Sequence, residues 1–184
     1  MIEGQFGAPI ILTAFNYAQG QQSGIELTAS YDRGPLSLYA NGAWSRAVGK
    51  NINSAQFNFQ PDELAFIAGN IIHLDHDQTW TGSAGAAYIF NQDGAYPTRV
   101  SADLLVQSGL RASTPTIPNG TALPSYATAN ISVVQRVAQG VELRLDVLNL
   151  ADSVYQIRNG TGVGVGAPQF GIRRTILGGV TAKF

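Results

Sequence analysis

The sequence has no cysteine and few charged residues, and both shortages exclude whole classes of protein. Without cysteine there can be neither a disulfide framework nor a thiolate metal site. Charged residues make up 12% of the 184 positions, about half the share of an average soluble domain. With a net charge of −1 and no basic run, binding of nucleic acid through bulk charge is excluded.

Long apolar runs are also missing. No stretch reaches 18 consecutive apolar residues, which excludes a helical membrane span. The first 15 residues lack the basic region, apolar centre and cleavage site of a secretory signal. That absence indicates the cytoplasm, unless the chain is part of a longer precursor. A hydrophobic content of 45% argues against disorder, so a soluble β-rich protein or a membrane β-barrel remains.

What the sequence does contain is a period-two alternation of apolar and polar residues, typical of strands with one apolar face. From Phe15 to Tyr31 the alternation is unbroken. A short helix is predicted from Pro61, with acidic residues in its first turn, and it ends near Gly69. The predicted strands cover residues 12–33, 36–47, 79–90, 98–108, 125–137, 141–150 and 172–184.

The connections between these strands alternate between short turns and the long segments 48–78, 109–124 and 152–170. This layout is typical of outer-membrane barrels, with short periplasmic turns and long extracellular loops. A soluble sandwich also alternates, but its strands are shorter than 12–33. Aromatic residues near strand ends on the apolar face fit the girdles of a barrel: Tyr31, Trp44, Trp80, Tyr88 and Phe90.

Several segments resemble TonB-dependent outer-membrane receptors, and together they cover essentially the whole chain. The run 15–31 is similar to the late strands of these receptors. Asn149-Leu150-Ala151-Asp152 with Tyr155 resembles their N-L-x-D-x-x-Y motif. The segment 162–174 resembles the penultimate loop and the start of the final strand in one subgroup. The terminal Phe184 resembles the outer-membrane insertion signal.

The resemblance implies that residues 1–184 are part of a 22-stranded receptor barrel, with about seven strands and without the plug domain. Such receptors import scarce ligands, such as ferric siderophores, across the outer membrane of Gram-negative cells. The implied partners are outer-membrane lipid, the barrel assembly machinery, the remainder of the receptor, the TonB energy-transducing complex and an unknown small ligand. Neither nucleic acid, a cofactor nor enzymatic activity is expected. With seven strands, residue 1 would be extracellular, and the chain would be inactive alone.

Two groups of residues are candidates for a site. Glu142, Arg144 and Asp146 alternate along one strand face, and we interpret them as lumen-facing charges rather than a general acid–base set. Aromatic residues of the long loops could contact a ligand, although packing of loop on loop is the alternative. These loop aromatics are Phe57, Phe59, Phe66, Tyr155 and Phe170.

Two other patterns are weaker. His73, Asp75, His76 and Asp77 are the only cluster that resembles a metal site, and we interpret them as a polar loop. The glycine-rich run 160–166 lacks the Lys-Ser/Thr of a phosphate loop and is predicted to be extracellular. No catalytic or metal residue is therefore predicted. The alternatives for the whole chain are a small self-contained or oligomeric outer-membrane barrel, or a soluble β-sandwich that binds a ligand.

Overall fold

The computed structural model describes residues 16–52, 61–160 and 167–183, and they form an antiparallel all-β fold with one short helix. The elements are β1 (Tyr17–Arg33), β2 (Leu36–Ile52), α1 (Pro61–Gly69), β3 (Ile72–His73), β4 (Trp80–Phe90), β5 (Thr98–Gln107), β6 (Arg111–Ala112), β7 (Thr121–Ala122), β8 (Tyr126–Ala138), β9 (Val141–Leu148), β10 (Gln156–Asn159), β11 (Pro168–Phe170) and β12 (Thr175–Ala182). Seven long strands pair in chain order, β1-β2-β4-β5-β8-β9-β12, and make one sheet.

The two ends of this sheet differ in the length of their connections. At one end, the turn end, the strands are joined through 34–35, 91–97 and 139–140. At the other, the loop end, the connections are 53–79, 108–125 and 149–174. The predicted alternation of short and long connections is confirmed. In the described residues β1 and β12 are the two edges and do not pair with each other, so the closed barrel stays a prediction.

The register gives the sheet one apolar and one polar face, because residues directly opposite each other share a face. Ile25 lies opposite Trp44, and Trp44 lies opposite Trp80. The apolar face carries Ile25, Leu27, Tyr31, Leu38, Trp44, Trp80, Tyr88, Phe90, Val100, Leu104, Ile131, Val133, Leu143, Leu145, Val147, Ile176 and Val180. The polar face carries Glu26, Thr28, Asn41, Ser83, Asp103, Asn130, Ser132, Glu142, Arg144 and Asp146.

The apolar face lies open. Most of its side chains remain exposed, from 40% for Trp80 to 74% for Leu27, and Val100, Ile131, Val133 and Val147 are half-buried. Among the described residues only four hydrophobic side chains are buried: Val48, Ile67, Ile72 and Ala112. A soluble domain covers an apolar face with a second layer, which this sheet lacks in the part that is described. Within residues 16–52, 61–160 and 167–183, no helix has the length and apolar character needed to cross a membrane.

The helix α1 spans the residues that the sequence predicts. Asp62 and Glu63 lie in its first turn, where the partial positive charge of the helix terminus favours acidic groups. Its Ile67 packs with Ile72 of β3 in a small cluster at the loop end. The helix therefore anchors the long connection between β2 and β4 to the end of the sheet.

Several predicted boundaries are wrong. β2 continues to Ile52, five residues beyond its predicted end, because β1 pairs with it as far as Ile52 and β3 pairs with Val48 and Gly49. β9 stops at Leu148, since Asn149 adopts a left-handed backbone with φ 49°. β12 is shorter than predicted at both ends. Segments predicted as plain loops contain the hairpins β6–β7 and β10–β11, which are too short to show a period in the sequence.

The turn between β8 and β9 requires glycine. Gly140 has φ 73°, and a Cβ there would lie 2.5 Å from the carbonyl oxygen of Lys183. We expect Gly140→Ala to lower the free energy of unfolding by about 2 kcal/mol, because left-handed strain and a clash with backbone add together. Equilibrium urea unfolding in detergent measures this change. Gly178→Ala is the control, since its Cβ meets nothing within 4 Å. Equal effects of the two variants would contradict the strain at Gly140.

Candidate functional site

The predicted lumen-facing charges lie together on the polar face of β9. Arg144 Nε donates to both carboxylate oxygens of Asp146, at 3.0 and 2.7 Å. Glu142 Oε1 accepts a hydrogen bond of 3.3 Å from Arg136 Nη2 on the neighbouring strand. Each carboxylate is thus neutralised by a guanidinium, which is typical of a structural ladder of ion pairs on a solvated face.

A concave region of about 540 Å³ extends across this face from β9 to β5. Asn130 Nδ2 donates to Asp103 Oδ2 at 2.6 Å in its floor. Arg99 and Arg144 both line it, so the concavity offers hydrogen-bond donors and acceptors of both charge signs. Such a surface suits a polar ligand or a polar protein segment.

Asp77 forms a buried hub at the loop end. Its side chain has no exposed area, and its Oδ1 accepts a hydrogen bond of 2.7 Å from the backbone N–H of Ala47. Arg111 donates to Oδ2 through Nε at 3.1 Å and through Nη2 at 2.9 Å. His73 Nδ1 lies 2.6 Å from the same oxygen. The aspartate therefore joins β2, β3 and β6.

The four residues that resemble a metal site in the sequence, His73, Asp75, His76 and Asp77, form ion pairs instead. The four side chains form two separate pairs, His73 with Asp77 at 2.6 Å and His76 with Asp75 at 2.9 Å. The segment around them is a turn, so the four side chains do not share the strand faces that a continuous strand would give them. In the described parts of the chain, no group of three or more histidine or acidic side chains is placed to hold a metal ion.

Asn149 organises the connection between β9 and β12 and is 1% exposed. Its Nδ2 donates to the carbonyl oxygens of Ser153 and Ile172, both at 2.9 Å. Its Oδ1 accepts from the N–H of Ser153 at 2.9 Å, and its own N–H donates to Asn130 Oδ1 at 2.9 Å. One amide side chain thus satisfies backbone groups from both ends of the connection.

Asp152 completes the same closure from the surface. Arg173 donates to its two carboxylate oxygens at 2.8 and 2.6 Å, and the N–H of Arg174 donates at 2.9 Å. The guanidinium of Arg173 and the N–H of Arg174 hold the pKa of Asp152 well below its usual range, and the carboxylate of Asp152 in turn raises the pKa of Arg173. The Asn and Asp of the N-L-x-D motif therefore fasten the last loop to the final strand.

The loop aromatics divide into packed and exposed residues. Tyr155 stacks on Tyr126 with ring centroids 4.3 Å apart, and it lies so close over Gly171 that a Cβ there would clash with its ring. Phe66 packs against the cluster at α1. Phe170 is 61% exposed and is thus the described loop aromatic most open to a ligand. The other candidates, Phe57 and Phe59, and the terminal Phe184 lie outside the described residues.

The sequence does not reveal two residues that hold the loop end together, Asn119 and Arg111. Asn119 is fully buried, and its Nδ2 donates to the carbonyl oxygen of His73 at 3.0 Å. Arg111 is the main partner of Asp77. The only available signal is the Pro118-Asn119-Gly120 turn sequence, which fits the left-handed φ of 52° at Asn119 but does not reveal its partner.

Comparison with protein-family models, with curated proteins and with solved structures gives no match for this chain.

The Asp152 contact generates a prediction. We expect Asp152→Asn to reduce protection of the Arg174 amide from hydrogen exchange about fivefold at pH 7, because the charged acceptor is lost. Asp93→Asn, in the turn between β4 and β5, is the control and should leave this amide unchanged. Mass spectrometry of a peptide covering 171–176 measures the protection.

The same contact should depend on pH in one direction only. Because the folded-state pKa of Asp152 is lowered, its stabilisation is present above the ordinary value of 3.8 and is lost as pH falls through the lowered value. Protection of the Arg174 amide, corrected for the intrinsic exchange rate, should stay constant from pH 7 to pH 5. A loss of protection within that interval would contradict the assignment.

Proposed function

We propose that the apolar face of this sheet contacts lipid, and that the chain is part of a transport receptor in the outer membrane of a Gram-negative cell. The observation that carries the proposal is an apolar face that continues across seven strands and remains uncovered. Burial of such a face yields roughly 25 cal/mol per Å². A bilayer supplies an apolar environment without a second protein layer.

The height of the uncharged band fits this environment. On the apolar face, charges begin at Arg33, opposite Leu36 at the turn end, and at Arg46 of β2. The ten steps from Leu36 to Arg46 span about 33 Å along the strand, at roughly 3.3 Å per residue. At a strand tilt of about 40° this gives a band about 25 Å tall, the height typical of outer-membrane barrels.

The register supports such a tilt. A row of direct pairs starts at Leu36, the first residue of β2, and runs through Tyr88, Val100 and Val133 to Leu145 in the middle of β9. A row of pairs perpendicular to the strands therefore begins at the end of one strand and reaches the middle of another. Neighbouring strands are thus staggered along their length, as a barrel requires. Trp44 and Trp80 lie near one border of the band, and Tyr31, Tyr88 and Phe90 near the other, as expected of aromatic girdles.

Transport is the proposed activity because of the resemblance to TonB-dependent receptors, which the loop contacts support. Asn149 and Asp152 of the resembling motif have a physical task, since they close the last loop onto β12. The mixed-charge concavity on the polar face suits contact with a plug domain inside a lumen. We therefore propose a transporter rather than an enzyme, with a scarce ligand such as a ferric siderophore as cargo.

The open edges support a part of a larger barrel rather than a complete one. In a meander of seven antiparallel strands, the edges β1 and β12 run in the same direction. An all-antiparallel closed barrel therefore needs an odd number of further strands, as a 22-stranded receptor would provide. Unpaired edges are costly in lipid, so we expect the chain alone to insert without forming a closed pore and not to transport.

The native mass of the protein tests the proposal. An antibody against residues 172–184 should detect, in the outer-membrane fraction, a band several times larger than the 19.5 kDa of this chain. A membrane band at 19.5 kDa would favour a small oligomeric barrel instead. A band that remains soluble without detergent would contradict the membrane proposal and favour a β-sandwich.

The two faces should respond differently to an introduced charge. We expect Leu145→Arg to lower the free energy of unfolding from lipid by about 2–4 kcal/mol, because the charge would lie near the middle of the bilayer. Thr181→Arg is the matched control, since Thr181 lies on the polar face opposite Glu142 and its change should be below about 1 kcal/mol. Urea unfolding from lipid vesicles measures both, and similar losses would refute the assignment of the faces.

A further inference from the structure

The two faces of the seven long strands differ in the charges that they carry: the polar face carries both signs, and the apolar face carries basic residues alone. All strand carboxylates that the structure describes lie on the polar face: Glu26, Asp32, Asp103, Glu142 and Asp146. The charges on the apolar side are all basic, namely Arg33 near the turn end and Arg46 and Lys50 near the loop end. The borders of the apolar band therefore favour an anionic partner.

Arg46 has the best placement for such a partner. It follows Trp44 on the same face, is exposed, and lies opposite the exposed Ser23 of β1. Within the described residues, Arg46 forms no ion pair and no hydrogen bond through its guanidinium. A guanidinium beside a hydroxyl, bordered by an indole, offers the donors that a phosphate group accepts.

The depth of Arg46 distinguishes it from Lys50. Arg46 is two residues beyond Trp44, which places its Cα about 5 Å farther along the membrane normal at a tilt of about 40°. Lys50 is six residues beyond Trp44, or about 15 Å farther. The polar headgroup layer is roughly 5–7 Å thick on each side of the hydrocarbon. Arg46 lies within that layer, whereas Lys50 lies beyond it.

We propose that Arg46, with the hydroxyl of Ser23, binds the phosphate of an anionic membrane lipid at the loop-end border of the apolar face. This inference rests on the proposed contact between that face and lipid, and it adds a lipid class and a binding residue. The bound phosphate would neutralise a cation that has no carboxylate on its own face. It would also fix the depth of the sheet in the bilayer.

The two tryptophans of the chain, Trp44 and Trp80, allow a direct test, because both lie next to the proposed site. The full chain is inserted into vesicles of phosphatidylcholine and phosphatidylglycerol, with brominated chains on one lipid or the other. Quenching of tryptophan fluorescence then reports which lipid lies beside them. We expect a preference for phosphatidylglycerol of about fivefold, the effect of one basic residue near an anionic surface.

The variants isolate the role of Arg46. Arg46→Gln should abolish the preference for phosphatidylglycerol, and Arg46→Lys should retain part of it. Lys50→Gln removes the same charge above the headgroups, and Arg33→Gln removes one near the opposite border, so both should keep the preference. Quenching without a preference, or equal losses in Arg46→Gln and Lys50→Gln, would overturn the phosphate site but leave the lipid-facing surface standing. No quenching by either brominated lipid would overturn both.

Discussion

An apolar surface that the described chain itself leaves uncovered is the constraint on which the rest of this structure depends. A single layer of seven strands exposes Leu27, Ile176 and Val180 to about two thirds or more of their full extent. A chain with such a face aggregates, oligomerises or meets an apolar solvent. The uncharged band, its aromatic borders and the basic residues just beyond them are consistent with the last outcome, since each matches one layer of a bilayer.

The loop end depends on a different interaction, the satisfaction of buried backbone groups by amide and carboxylate side chains. Asp77 joins β2 to β6 through Arg111, and Asn149 with Asp152 joins the end of β9 to the start of β12. Because these contacts need few apolar residues, long connections can be ordered with only the small apolar cluster around Ile67 and Ile72. Polar side chains therefore order most of the long connections, and most of the large apolar side chains lie on the apolar face of the sheet.

The sequence predicts the strands and their faces well, because a period of two residues is set by strand geometry alone. The helix α1 is also recognisable from its proline and acidic first turn. The loop contacts are not recognisable, since the pairing of Asp77 with Arg111 or of Asn119 with His73 joins residues far apart in the chain. Tyr155 shows the same limit, because only the structure reveals that Tyr126 and Gly171 enclose its ring.

The most direct test of the central claim uses the absence of cysteine, which makes single-cysteine scanning free of background. Cysteine is introduced at each position from 142 to 147 of β9, and the chain is inserted into lipid vesicles. A water-soluble maleimide should label positions 142, 144 and 146 and should spare 143, 145 and 147, which face lipid. Equal labelling of both sets would contradict a lipid-facing sheet and would favour a soluble assembly.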